Sequence, residues 1–129
     1  MKVNIRKYPN HRFYHNWLYN WFGYSPKQRT RIKIHNYDTW SMDCTLAHII
    51  LPMLVQLKAT KHGYPADLTE QEWDDILDEM IWAFEQKCRD DWMEDYDYNK
   101  WDREGAKAHQ ERMSNGFRLF GRYYENLWD

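Results

Sequence analysis

Eight lysines and arginines and no aspartate or glutamate fall within residues 1–37, and aromatic side chains are threaded between them. Arg6, Lys7, Arg12, Lys27, Arg29, Arg31 and Lys33 alternate along the chain with Tyr8, Phe13, Tyr14, Trp17, Tyr19, Trp21 and Tyr24. Cations neutralise phosphates and rings stack on bases, so this pairing suits a nucleotide or a single strand. Arg29, Arg31 and Lys33 are the candidate phosphate contacts, and Trp17, Trp21 and Trp40 the candidate stacking rings. The same composition also suits an arm whose rings pack on a partner subunit.

A second set of residues carries acid chemistry. Thirteen acids lie between Asp67 and Asp97 against Lys87 and Arg89 alone. The pairs Glu72/Asp75, Asp75/Asp78 and Asp91/Glu94 have the spacing of helical carboxylate pairs that hold Mg²⁺ in nucleotide pyrophosphohydrolases. A hydrolase of that type would use Asp75, Asp78 and Glu79, with His48 nearby. Such enzymes need pairs on two facing helices, whereas here they share one long helix, so a solvated acidic face is the favoured reading. Cys44 and His48 stand at i,i+4 and could supply two metal ligands, but two ligands do not complete a site. No Glu-x-x-His, Gly-x-Ser-x-Gly or glycine-rich phosphate loop occurs. No metal, cofactor or nucleophile is therefore expected. The Asp38–Asp43 turn, DTWSMD, could offer helix N-terminal amides to an anion, although its own two aspartates favour capping and turn formation.

The elements that must position these groups follow from periodicity. Val3 and Ile5 alternate with polar residues, as do Ile32 and Ile34, which predicts two short strands able to pair. Asn10 is a plausible cap for a short helix carrying Phe13, Trp17 and Trp21 on one face, stopped by Gly23 and Pro26. The chain from Arg31 to Gly63 joins the second strand to the most apolar helix, whose face is Leu46, Ile49, Ile50, Met53, Leu54 and Leu57, with Pro52 inside it. That aliphatic density makes it the expected hub for the other helices. Thr69-Glu70-Gln71-Glu72 is a capping box that opens a helix burying Trp73, Ile76, Leu77, Met80, Phe84, Cys88 and Trp92. The apolar period lapses around residues 95–99. A last helix is expected over 102–127, burying Met113, Phe117, Phe120, Tyr124 and Leu127. Gly105, Gly116 and Gly121 each cost about 1 kcal/mol there relative to alanine, which predicts close approach to another helix.

Three segments, YDTWSMDCTLAHIILPMLVQLKATKHG, ILDEMIWAFEQK and RMSNGFRLFGRYYENLWD, resemble a family of small proteins encoded by tailed bacteriophages. Its members share a DTWSMD-TLA-II-PML-QLK-TKHG core, an LDEMIWAFE helix and a GF-LFG-YY-LWD terminus. The resemblance covers residues 31–129. It departs after Gly63–Pro65, where family members often carry a longer acidic insertion and this chain reaches Thr69 almost at once. The resemblance implies a phage origin and the cytoplasm of an infected bacterium.

The chain has 129 residues, enough for one domain with its own core. It is expected to form a mainly α domain over 1–129: three principal helices, a short N-terminal helix and a two-stranded β element. Residues 1–37 form its basic aromatic segment and 38–129 its helical core. Eight Trp, ten Tyr and five Phe are more rings than so small a domain can hide, so a homo-oligomer or a ligand surface is expected. Two cysteines, each in a helix, suit a reducing compartment. No run approaches about 20 apolar residues, and the basic N-terminus lacks a signal-peptide h-region, so no membrane is expected. The acidic remainder of the chain argues against a long nucleic acid. The favoured function is a phage-encoded, non-enzymatic binding protein that captures a host defence factor or a small antiviral nucleotide signal. The metal-dependent nucleotide hydrolase and a structural or interaction protein are the alternatives.

Overall fold

A computed structural model describes residues 1–7, 12–89, 91 and 102–129. The predictions for Tyr8, Asn10, Trp92, Glu94 and the lapse at 95–99 lie outside the described residues. The protein is mainly α with a small antiparallel sheet. Its chain divides into two compact units, Met1–Trp40 and Ser41–Asp129.

The first unit contains β1 (Lys2–Ile5), α1 (Phe13–Phe22) and β2 (Thr30–Lys33), and ends in a 3₁₀ turn, Asn36–Thr39. β1 and β2 pair antiparallel with Lys2 opposite Lys33, Val3 opposite Ile32, Asn4 opposite Arg31 and Ile5 opposite Thr30. The ladder extends one rung further, because the Arg6 N–H donates to the Arg29 carbonyl at 3.1 Å. The Gln28 side-chain amide donates to the Arg6 carbonyl at 2.8 Å and ties down that end. Helix α1 begins where the His15 ring accepts from the Arg12 N–H at 2.8 Å. It ends at Gly23, whose φ of +64° is the left-handed conformation that glycine adopts without strain. The ring-bearing face of α1 is open: Phe13 is 89% exposed and Trp21 72%. A ten-residue helix and a two-stranded ribbon enclose too little volume for a core, and His15 is the buried residue among those described in this unit.

The second unit holds α2 (Met42–Thr60), α3 (Glu70–Arg89) and α4 (Arg103–Arg122), followed by a 3₁₀ turn at Tyr124–Asn126. Helix α2 passes through Pro52 without interruption. The hub is α3 and not α2: α3 packs against both α2 and α4, and it supplies Trp73, Leu77, Met80, Ala83 and Phe84 to the core. α2 turns only Ala47 and Leu54 fully inward, with Ile50, Leu51 and Leu57 partly covered, and leaves Leu46 and Met53 exposed. The physical reason is width. A stripe spanning most of α2 cannot face one neighbour completely, so the half nearest α3 is buried.

Of the three glycines in α4, Gly116 makes the expected close approach. A Cβ there would lie 2.4 Å from the Ala83 Cβ and 2.8 Å from the Glu79 carbonyl oxygen. Gly105 instead sits over Asp102, whose carboxylate caps the helix by accepting the Gly105 N–H at 2.8 Å, and Gly121 faces open space. The last helix stops at Arg122, earlier than expected. The tighter turn that follows buries Tyr123 and leaves Tyr124 65% exposed, exchanging the expected ring for its neighbour.

The Thr69 capping box forms in full. Glu72 accepts the Thr69 N–H at 2.7 Å, and Thr69 Oγ1 accepts the Glu72 N–H at 3.2 Å. The Thr69 N–H bond, joined by one that the Thr69 hydroxyl donates at 2.9 Å, holds the Glu72 carboxyl below the ordinary glutamate range, the backbone bond being the larger cause. A depressed native pKa means the cap contributes above the unfolded value of about 4.3 and is lost as pH falls through the native one. Thermal melts at pH 6 and pH 3.5 should therefore show a smaller acid-induced loss for Glu72→Gln than for the parent protein. Equal losses would show that this cap does not titrate with folding.

Candidate functional site

Strand alternation sorts the ribbon into two unlike faces. Side chains of like parity point the same way, so Lys2, Asn4, Arg6, Arg29, Arg31 and Lys33 share one face. Val3, Ile5, Thr30 and Ile32 share the other, and Ile34 continues it past the strand end. Five of the six residues on the first face are cations. Lys2 lies directly across from Lys33 and Arg6 from Arg29, an arrangement that repels in an isolated ribbon. Among the described residues none of these five cations has an ion-pair partner.

The first unit has one acid, Asp38, and that acid is committed elsewhere. Its carboxylate accepts the His35 N–H at 2.7 Å and pairs with the N-terminal ammonium at 3.0 Å. The His35 bond is the larger cause of its lowered pKa. The Asp38–Trp40 part of the DTWSMD motif thus closes a turn: Thr39 Oγ1 donates to the Asn36 carbonyl, and Trp40 is left 90% exposed.

The structure brings the predicted residues together in two groups. Arg29, just before β2, and Arg31 and Lys33 on it form a single row. Trp17 and Trp21 stand beside each other on α1 with ring centroids 6.2 Å apart, and Phe22 meets the Trp17 ring edge-on at 6.0 Å. Among the described residues no cation–ring contact joins the row to these tryptophans or to Trp40. The contributions of Lys2 and Asn4 to the cationic face were missed in the sequence. The signal was present: once residue 3 is set opposite residue 32, parity places residues 2 and 4 beside 33 and 31.

The acidic candidates have other employment. Glu79 accepts two bonds from the Arg112 guanidinium of α4, at 2.8 and 3.0 Å, and that guanidinium lies 3.9 Å over the Trp82 ring. Asp78 pairs with Lys58 of α2, and Asp74 with Lys61 at 2.9 Å. Asp75 accepts a bond from the Gln71 amide at 2.9 Å. Asp78 and Glu79 therefore splay toward opposite neighbours of α3 and do not converge with Asp75. Glu72, Asp75, Asp78 and Asp91 are exposed, as the solvated reading expects, while Asp74, Asp78 and Glu79 also meet cations at the edges of the helix. Among the described residues no three His, Cys, Asp or Glu side chains approach closely enough to hold a metal ion.

Cys44 and Cys88 are free and half-buried, and His48 is exposed. Burial pushes the Cys88 thiol up, with Cys44 and Glu85 adding to the effect, which keeps it protonated and unreactive. A cleft of about 490 Å³ opens between the α2–α3 loop and the C-terminal turn, lined by His62, Gly63, Tyr64, Pro65, Trp128 and Asp129 among others. It contains none of the residues singled out from the sequence. No known protein family, curated protein or solved structure matches the chain.

Proposed function

We propose that this chain is a phage-encoded, non-enzymatic binding protein whose N-terminal unit captures a small nucleotide. The carrying observation is the cationic face of the ribbon, five like charges held in register with no acid opposite them. Such a surface costs the protein electrostatic free energy until an anion arrives, and phosphates supply both charge and acceptor oxygens. The exposed rings of Trp17, Trp21 and Trp40 supply stacking surface in the same unit. The chain also assembles as a homo-oligomer through the apolar side chains this unit leaves open. The hydrolase alternative has less support, because its carboxylates are drawn toward Lys58 and Arg112.

Native mass spectrometry of the protein with a panel of nucleotides tests both parts at once. The expected result is an oligomer carrying nucleotide mass. The triple variant Arg29→Ala/Arg31→Ala/Lys33→Ala is expected to lose about 100-fold in affinity, since charged hydrogen bonds contribute about 1.5–3 kcal/mol each and their losses overlap. Its melting temperature should hold or rise, because the substitutions remove like-charge contacts across the ribbon. Unchanged binding by the triple variant would move the ligand elsewhere, and a bare monomer would end both readings.

A further inference from the structure

We infer that the ligand class for the cationic face is a short single-stranded oligonucleotide rather than a mononucleotide. This rests on the reading that the face is a ligand site. Side chains on one face of an antiparallel strand repeat every two residues, about 6.8 Å. Arg29, Arg31 and Lys33 thus form a row of three charges spread over roughly 14 Å, with Arg6 and Lys2 flanking its two ends from β1. Adjacent phosphates of an extended nucleic-acid strand are separated by a sugar–phosphate repeat of the same length. Each step of the row therefore meets one phosphodiester.

A nucleoside triphosphate fits this row poorly. Its phosphorus atoms share bridging oxygens, so its charge is packed within a single repeat and leaves the outer cations unmatched. Asn4, opposite the central Arg31, adds a neutral donor and acceptor at the one rung where a base edge can approach without a second cation. A duplex is disfavoured on two grounds. Exposed rings stack only on unpaired bases. The unit Ser41–Asp129 carries nineteen acids against ten lysines and arginines, which repels a long polyanion.

The test is fluorescence anisotropy with a labelled six-nucleotide thymidylate strand, with ATP and a six-base-pair duplex as competitors. The strand is expected to bind at least tenfold more tightly than either competitor. Three engaged phosphates should give a slope of about −2 in log K against log salt. Arg31→Gln should flatten that slope by about 0.7, whereas Arg118→Gln, the same charge change at an exposed position on α4, should leave it unaltered. ATP competing as well as the strand, or the duplex competing better, would overturn this inference and leave the nucleotide-binding reading standing. No binding of any of the three would overturn both.

Discussion

Gly116→Ala is expected to destabilise the helical unit by about 2 kcal/mol, although alanine is the better helix former. The added methyl would meet the Ala83 Cβ at 2.4 Å and the Glu79 carbonyl oxygen at 2.8 Å. Neither atom can rotate aside, because one is a methyl fixed to the backbone and the other is backbone itself. Relief requires α3 and α4 to move apart. That movement would loosen the edge-on contacts of Phe84 with Phe117 and Phe120 and stretch the paired bonds from Arg112 to Glu79. For a unit of this size the loss corresponds to a fall in melting temperature of roughly 10 °C. Gly121→Ala, in the same helix with nothing within 4 Å, should raise it by a few degrees. Opposite signs for two identical substitutions separate close packing from helix propensity. A common sign would remove the close approach from the account.

How much of this was legible beforehand depended on the range of the cause. The Thr69 box and the Gly23 stop are set by neighbouring residues, and the structure has both. Three glycines in α4 pointed to close helix contact, but only tertiary placement shows that Gly116 meets Ala83 while Gly121 meets nothing. The two faces of the ribbon needed one long-range fact, the register, after which parity assigns every side chain. The three cations Arg29, Arg31 and Lys33 were readable from β2 alone, and their companions on β1 were not.

The acidic helix shows both sides of this. Its charge pattern reads as a solvated face, and Glu72, Asp75, Asp78 and Asp91 are exposed, but sequence gives the acids of α3 without revealing which cations come to meet some of them. Lys58 arrives from α2, Lys61 from the cap that ends it and Arg112 from α4. Helical spacing of Phe13, Trp17 and Trp21 establishes that the rings share a side, but spacing cannot supply the surface that covers them.

Met80→Ala and Met53→Ala test which helix is the hub. Both residues lie on stripes that periodicity marks as core, and the two substitutions delete the same atoms. Met80 of α3 is fully buried, between Leu77 and Phe84 on the side that faces the neighbouring helices, whereas Met53 of α2 is 66% exposed. Removing a buried methionine side chain loses its transfer free energy and leaves a cavity whose walls relax only in part, at about 2–5 kcal/mol. Met80→Ala is therefore expected to lower stability in urea denaturation by about 3 kcal/mol. Met53→Ala should stay within about 0.5 kcal/mol of the parent protein. The contrast follows from position within the layer: α3 has a packed helix on each flank and α2 has one, so only half of the α2 stripe finds a partner. Equal losses at the two positions would mean that Met53 is covered in solution and would restore α2 as the helix on which the others pack.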